Sequence, residues 1–153
     1  MPWPGYEPPP GQARLLEWSW AEHRLGEARR YWLATTHADG SAHLRAVWAA
    51  WAQGRLAFST GRMTRKARNL AAVPRCCLAI EAGEDSLVVE GVAEELTDSA
   101  LVGEAEAAYV AKYGSSMLIG DSPVFSVRPV VVIGFSEGDQ SVRPTRWLVS
   151  PPL

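Results

Sequence analysis

The sequence predicts a mainly β fold, a small antiparallel β-barrel decorated with a few short helices. Two patterns predict it: apolar residues alternate with polar ones over five or six short segments, and turn signals separate most of these segments. The chain has 153 residues, of which 47% are hydrophobic and 21% are charged, as in a globular protein of ordinary size. We therefore expect a single domain over residues 1–153.

The first elements are an irregular arm and a helix. Residues 1–13 are rich in Pro and Gly, which predicts the arm. The run Ser19-Trp20-Ala21-Glu22 has the form of a capping box, with Ser19 at the helix start and Glu22 reaching back to it. We expect this helix to end near Arg29 or Arg30.

From Tyr31 onward the apolar period is that of strands. Asp39-Gly40 and Gln53-Gly54 are hairpin turn signals, so the first three strands should form an antiparallel meander. The six predicted strands are 31–37, 42–51, 55–60, 75–82, 86–96 and 124–135. Gly91 in the fifth strand predicts a bulge or a close backbone approach, and Pro129 in the sixth predicts an edge or a bulge.

Two more helices are predicted between these strands. One spans about 64–72 and is closed by Pro74. The other is capped by Thr97 or Asp98 and is stopped by Gly114. The strands should therefore carry three helices on the outside of the barrel.

Charge is unevenly distributed along the chain, although the formal net charge is only −2. No acidic residue lies between Asp39 and Glu81, whereas the segment from Glu81 to Glu106 has no Lys or Arg. The cations of the first segment are Arg45, Arg55, Arg62, Arg65, Lys66, Arg68 and Arg75. The chain thus builds one basic region on a mildly acidic protein, and its net charge does not favour nucleic acid or an anionic membrane as a partner.

The stretch Phe58–Leu70 lies at the centre of this basic region and predicts a strand end, a turn and a helix start. The first N–H groups of a helix lack partners within the helix, and its macrodipole is positive there. Hydroxyls and cations add to this positive site, namely Ser59, Thr60, Thr64, Arg65 and Lys66. The combination predicts a phosphate site, and the alternative is an ordinary helix with a solvated basic face. Arg45 on the second strand either faces solvent or points at the same anion.

Several kinds of site are not predicted. His23, His37 and His43 have no partner at metal-ligand spacing, so we expect no metal site. The motifs of serine hydrolases, P-loop enzymes and Rossmann nucleotide sites are missing, as is a nucleophile–base pair. No catalytic residue is assigned, and an enzyme of this kind would take its reactive group from a cofactor.

The expected location is the cytoplasm. The chain starts without the basic and apolar segments of a signal peptide. No apolar run approaches the roughly 20 residues that a membrane-spanning helix needs. We therefore expect no membrane partner.

Three blocks of the sequence resemble the pyridoxamine 5′-phosphate oxidase-like family, the FMN-binding split barrels. The first is Arg45-Ala46-Val47 on the second strand. The second is Phe58-Ser59-Thr60 followed by Thr64-Arg65-Lys66-Ala67, which is similar to the family's Ser-Arg-Lys phosphate motif with Thr in place of Ser. The third is the run from Val88 to Glu94, similar to the family's Gly-x-Ala strand. The resemblance covers roughly residues 31–96.

This resemblance implies a six-stranded antiparallel split β-barrel of the FMN-binding type. It also implies a homodimer with the cofactor at the subunit interface. Arg65 and Lys66 would then bind the cofactor phosphate, with Thr64 donating a hydroxyl. Arg45 and Val47 would contact the ribityl chain and the pyrimidine edge of the ring.

The resemblance points to four further cofactor contacts, at Ser59, Thr60, Ser86 and Trp147. The first two would line the ring or the ribityl side. Ser86 stands where the family often has a longer polar residue that reaches across the interface. Trp147 would match a C-terminal aromatic near the cofactor, and the alternative role is a C-terminal anchor.

Two departures from the family argue against pyridoxamine phosphate as the substrate. The family's oxidases carry a Lys on the second strand where this chain has Ala50, and their basic tail is replaced by residues 149–153. The run Lys66–Leu70 is also similar to the branch that uses a deazaflavin coenzyme, factor 420 (F420), in place of FMN. Spare cations for its additional negative charge are Arg62, Arg68 and Arg75.

These observations together predict an oxidoreductase that depends on FMN or on the deazaflavin coenzyme. It would transfer hydride between the cofactor and an unknown small molecule. Because no acid or base is assigned, the alternative is a non-catalytic flavin-binding sensor or carrier. A nucleic-acid-binding barrel is disfavoured by the negative net charge.

Overall fold

The structure is a computed structural model, and it describes residues 14–139 and 141–149. The predicted arm over residues 1–13 lies outside the described residues, and the single-domain prediction for the whole chain stays a prediction. The elements in chain order are β1 (Arg14–Leu15), α1 (Trp18–Glu27), β2 (Tyr31–Thr36), β3 (Ala42–Val47), β4 (Ala50–Ala52), β5 (Arg55–Ser59), α2 (Arg65–Ala72), β6 (Arg75–Ala82), β7 (Asp85–Glu95), α3 (Ser99–Tyr113), β8 (Val124–Ser136), β9 (Val142–Arg143) and β10 (Thr145–Leu148). None of these helices is long and apolar enough to cross a membrane.

Eight of the strands form one antiparallel sheet. Its order is β3-β2-β6-β7-β8-β5-β4, and β10 pairs with β8 beside this path. The two ends of the path, β3 and β4, are separated in the chain only by residues 48–49. The sheet must therefore curl strongly, and the predicted mainly β, split-barrel fold is confirmed. The short strands β1 and β9 form a separate parallel pair.

The predicted second strand and meander differ from the structure. Residues 42–51 form two strands, of which β3 pairs with β2 and β4 pairs with β5. The third strand of the expected meander, β5, lies between β4 and β8 and does not pair with β3. The alternation of apolar residues continues through the bend at residues 48–49, so the sequence period does not reveal the change of partner. Strand β10 was not predicted.

The first helix also differs from its prediction. Its N-cap is Glu17, whose side chain makes no capping hydrogen bond, so the capping box at Ser19 is wrong. The helix ends at Glu27, before Arg29. It is positioned by burial, since Ala21 and Leu25 are fully buried against the sheet.

The other two helices begin where the sequence predicts. Thr64 Oγ1 accepts the N–H of Ala67 at 3.3 Å and so caps α2. Asp98 caps α3 by accepting two backbone N–H groups, each at 3.0 Å. Gly114 ends α3 in the left-handed conformation with φ 72°.

The predicted irregularity at Gly91 is confirmed. The register between β7 and β8 shifts between Glu90 and Gly91, where Pro129 is the partner of Gly91. A Cβ at Gly91 would lie 2.6 Å from the carbonyl oxygen of Arg128, so only glycine fits this approach. The prediction of a bulge at Pro129 is confirmed by the same shift.

The main core fills the inside of the curled sheet. Its largest fully buried side chains include Tyr31, Leu33, Leu56, Phe58, Leu78, Leu87, Val89, Val127 and Val132. A smaller cluster lies under α3, around Ala105 and Tyr109. His43 and Arg45 of β3 and Arg65 and Lys66 of α2 belong to neither cluster.

Candidate functional site

The turn between β5 and α2 presents hydrogen-bond donors at the start of the helix. Thr60 Oγ1 lies 3.0 Å from Thr64 Oγ1, which links the two ends of the turn. Arg65 and Lys66 are the first two residues of α2, so their backbone N–H groups have no acceptor within the helix. This is the local geometry that binds phosphate at helix N-termini.

Three cations near this helix start form no ion pair within residues 14–139 and 141–149. The described part of the chain has four ion pairs, and none of them includes Arg45, Arg65 or Lys66. Burial lowers the pKa of Lys66, and the positive charge of Arg45 lowers it further. Arg45 on β3 therefore faces the same region as Lys66 on α2. Such a group of like charges is stabilised by an anion, and its chemistry fits the phosphate of a cofactor.

The remaining predicted residues of this region lie close by in the fold. Val47 is buried and lies two residues beyond Arg45 on β3. Three residues later Ala50 pairs with Ala57 on β5, the strand that Ser59 ends. The fold thus brings the predicted residues on β3 close to those on the β5–α2 turn.

Two predicted site residues are not brought to this place within one chain. Ser86 on β7 pairs with Glu81 on β6. The residue of β6 that lies beside the site is Cys77, which pairs with Ala34 on β2. Glu81 is four residues from Cys77, a distance of roughly 13 Å along the strand. Trp147 packs against Trp18, with ring centroids 5.6 Å apart. Its contacts are those of a C-terminal anchor. A cofactor contact from either residue would need a second subunit and stays a prediction.

A buried polar layer beneath the helix start was missed by sequence reasoning. It consists of Asn69 on α2, Thr35 on β2 and His43 on β3. His37 lies beside it, with its ring centroid 5.2 Å from that of His43. One signal was available, because Asn69 is a polar residue between the buried Ala67 and Leu70 on the inner face of α2.

An exposed apolar face lies on the outer side of β2 and β3. Trp32, Leu44 and Trp48 are 44%, 53% and 51% exposed. Trp32 and Leu44 point to the side opposite the core, as the alternation along their strands requires. A groove of about 330 Å³ on this face is lined by Trp32, Leu44 and residues of β6 that include Glu81. Contiguous exposed apolar surface of this kind marks an interaction site.

Comparisons with known proteins agree with this architecture. A family model described as pyridoxamine 5′-phosphate oxidase matches residues 21–140. Among solved structures, a heme binding protein from Mycobacterium smegmatis is similar, with a TM-score of 0.70 and 23% identity over 83% of this chain; the chain spans 56% of that protein's length. No curated protein sequence matches the chain.

Two further structures show the same fold. A conserved hypothetical protein from Mycobacterium tuberculosis has a TM-score of 0.73 and 18% identity, over 86% of this chain and 90% of that one. A structure described as F420 reductase has a TM-score of 0.61 and 24% identity, over 72% of this chain and 94% of that one. Because the family model covers most of the chain, including the β3, β5–α2 and β7 blocks, the protein belongs to the pyridoxamine 5′-phosphate oxidase family.

Proposed function

We propose that the protein is an oxidoreductase that depends on FMN or on the deazaflavin F420, and that it acts on a small molecule other than pyridoxamine phosphate. The observation that carries this proposal is the group of cations Arg45, Arg65 and Lys66, which have no ion-pair partner in the described part of the chain and lie beside the first N–H groups of α2. Membership of the family and the similarity to a structure described as F420 reductase support it.

The chain's own residues would bind and orient the cofactor. Arg65 and Lys66 hold the phosphate by charge, while Thr64 offers its hydroxyl beside the helix N–H groups. Arg45 and Val47 would contact the remainder of the cofactor from β3. When bound, the flavin or deazaflavin supplies the hydride chemistry, since the site offers no nucleophile of its own.

We also propose a homodimer that buries the exposed face of β2 and β3. An apolar face carrying two half-exposed tryptophans suits a second copy of the same surface. In such a dimer, Ser86 and Trp147 could contact the cofactor bound by the partner subunit. Within its own chain, neither residue lies close to the proposed site. The cytoplasmic location expected from the sequence stays a prediction.

The competing functions differ in cofactor or in turnover. A sensor or carrier would bind the same flavin without catalysing a reaction. This alternative is open because no residue of the site is assigned as an acid or a base. Heme is the competing cofactor, because a similar structure is described as a heme binding protein and two histidines lie together near the site.

Cofactor identity in the purified protein tests the proposal. We expect the absorbance spectrum and the mass of the released cofactor to be those of FMN or F420, or the apoprotein to bind one of them in the micromolar range. Binding of heme alone, or of none of the three, would contradict the proposal. Oxidation of the reduced cofactor by a panel of quinones, enones and nitroaromatics separates an enzyme from a carrier.

A further inference from the structure

The buried polar layer forms a continuous chain of hydrogen bonds below the start of α2. Asn69 Nδ2 donates to Thr35 Oγ1 at 3.0 Å, and Thr35 Oγ1 lies 3.4 Å from Nδ1 of His43. The three side chains are 3%, 3% and 8% exposed. Asn69 follows Arg65 by four residues and Lys66 by three, so it shares their face of the helix. These hydrogen bonds therefore connect the helix face that bears the cations with His43.

Asn69 fixes the direction of the first of these hydrogen bonds. An amide nitrogen only donates, so Thr35 Oγ1 accepts from it and has its own proton free for Nδ1 of His43. If Thr35 donates to Nδ1, that nitrogen carries no proton, and neutral His43 then carries its proton on Nε2. Nε2 has no hydrogen-bond partner among residues 14–139 and 141–149.

The surroundings of His43 favour its neutral form. Burial lowers its pKa, and the positive charges that face it lower its pKa further. Those groups are Arg45 on β3, Lys66 and Arg65 on α2 and, in its protonated form, His37 after β2. A neutral donor suits this position, because a further cation would add repulsion when no anion is bound.

We propose that His43 is a further binding residue of the site, donating from Nε2–H to an oxygen of the bound phosphate, with Thr35 and Asn69 fixing its tautomer. The inference rests on the proposed phosphate site of the previous subsection. A bound phosphate dianion favours the charged imidazole, so the pKa of His43 rises on binding. The site then takes up a proton from solvent when the pH lies below the raised pKa.

The tautomer is testable without any ligand. In ¹⁵N NMR spectra of the full chain at neutral pH, we expect His43 to show a protonated Nε2 and an unprotonated Nδ1. In Thr35→Val the fixed acceptor contact is lost, and a population of the other tautomer should appear. A protonated Nδ1 in the wild type overturns the proposal whatever the protein binds, so this result is independent of the proposed cofactor.

A titration then tests the contact with phosphate. The pKa of His43 should rise when the protein is saturated with FMN, and also with inorganic phosphate as the simplest probe. A rise with inorganic phosphate but no binding of FMN or F420 supports the role of His43 and contradicts the proposed flavin or deazaflavin function. An unchanged pKa with both probes overturns the proposal.

Two substitutions separate the donor from the ring. His43→Gln keeps an N–H donor near the position of Nε2, whereas His43→Leu removes it. We expect His43→Leu to bind FMN roughly tenfold more weakly and His43→Gln to stay within about threefold of the wild type. His37→Leu, which removes the neighbouring ring but no part of the hydrogen-bonded chain, is the matched control and should change affinity less. Wild-type affinity in a folded His43→Leu protein overturns the proposal.

A folding defect in the leucine variant would leave the glutamine variant as the test. Glutamine does not titrate near neutral pH, so FMN binding by His43→Gln should lose the proton uptake that the wild type shows. Proton uptake is measured by calorimetry in buffers of different ionisation enthalpy. Equal uptake in His43→Gln and wild type overturns the proposal.

Discussion

Arg62, in the turn between β5 and α2, forms a bidentate ion pair with Glu95. Arg62 Nη2 lies 3.0 Å from Oε1 of Glu95, and Nη1 lies 3.3 Å from Oε2. The contact raises the pKa of Arg62 and lowers the pKa of Glu95. The last residue of the acidic strand β7 thus neutralises a cation next to the site, whereas Arg65 and Lys66 have no carboxylate partner in the described part of the chain.

Glu95→Gln should release Arg62 for a bound anion. We expect the affinity for F420, which carries more negative charge, to rise by about twofold to threefold at low ionic strength, and the affinity for FMN to rise less. The gain should disappear at high salt. Glu94→Gln, which frees Arg55 instead, is the control. Binding curves that coincide for Glu95→Gln and wild type at low salt would show that Arg62 does not reach the ligand.

The two cations at the helix start should carry most of the phosphate affinity. Lys66→Ala and Arg65→Ala are each expected to weaken FMN binding by about 1–3 kcal/mol, the size of a lost charge-assisted contact. Arg68 is exposed on the same helix, and Arg68→Ala should leave FMN binding unchanged and weaken only F420 binding. Calorimetric titration of each variant provides the measurement. If Lys66→Ala and Arg65→Ala bind FMN as tightly as Arg68→Ala does, the phosphate is bound elsewhere.

The β5–α2 turn was predictable because the residues that form it are close together in the sequence. The strand end, the cap at Thr64 and the two cations lie within a few residues, so the cap and the free N–H groups follow from residue type. Gly91 was predictable for a similar reason, because a glycine inside a strand signals a close approach.

The buried layer and the closure of the sheet depend on distant pairings. Asn69 meets Thr35 across 34 positions, because α2 packs on β2. Single-sequence periodicity carries no information on which strands pair, and it therefore missed both this contact and the change of partner between Val47 and Ala50. The wrong capping box has another cause. Ser19 fits the motif, but burial of Ala21 and Leu25 decides where α1 lies.

Lys112 should make stability depend on pH. Its ammonium donates to the carbonyl of Ala28 at 2.7 Å and to the hydroxyl of Tyr31 at 2.9 Å, and burial lowers the pKa of Lys112 to about 8. In the unfolded chain the pKa is about 10.4. Between these values the unfolded state binds more protons, so the folded state becomes more stable as pH rises.

Comparison with Lys112→Met isolates this effect. Between about pH 8 and pH 10, the wild type should gain about 1 kcal/mol in unfolding free energy relative to the variant, a value reduced for the partial exposure of the ammonium. Urea unfolding at several pH values is the measurement. Lys112→Arg keeps its charge over this range and should show no such gain. Parallel pH profiles for wild type and Lys112→Met would contradict the lowered pKa.

Gly91 should not tolerate even one methyl group. In Gly91→Ala the added Cβ would lie 2.6 Å from the carbonyl oxygen of Arg128 and 2.7 Å from Cγ1 of Val127, so strands β7 and β8 must shift. We expect a loss of about 1–3 kcal/mol in unfolding free energy. Gly103 on α3 has no atom within 4 Å of its added Cβ, and Gly103→Ala should stabilise by about 0.5–1 kcal/mol. Equal stability of the two variants would show that the close approach does not exist.

The exposed face of β2 and β3 should control both assembly and cofactor binding. Trp32→Glu places a carboxylate in the middle of this apolar face, and burying an unpaired charge in a dimer interface is strongly unfavourable. We expect sedimentation velocity to show a dimer for the wild type and a monomer for Trp32→Glu, with unchanged unfolding of the monomer core.

FMN binding by Trp32→Glu tests whether the cofactor site spans two subunits. If the site spans two subunits, Trp32→Glu should bind FMN more weakly although Trp32 is not a predicted cofactor contact. Ile119→Glu is the matched control, because Ile119 is 70% exposed in the loop between α3 and β8, and the variant should stay dimeric and bind normally. A monomeric Trp32→Glu protein with wild-type affinity would show that one chain holds the cofactor alone. In that case Ser86 and Trp147, which lie away from the cations within the chain, would have no part in the site.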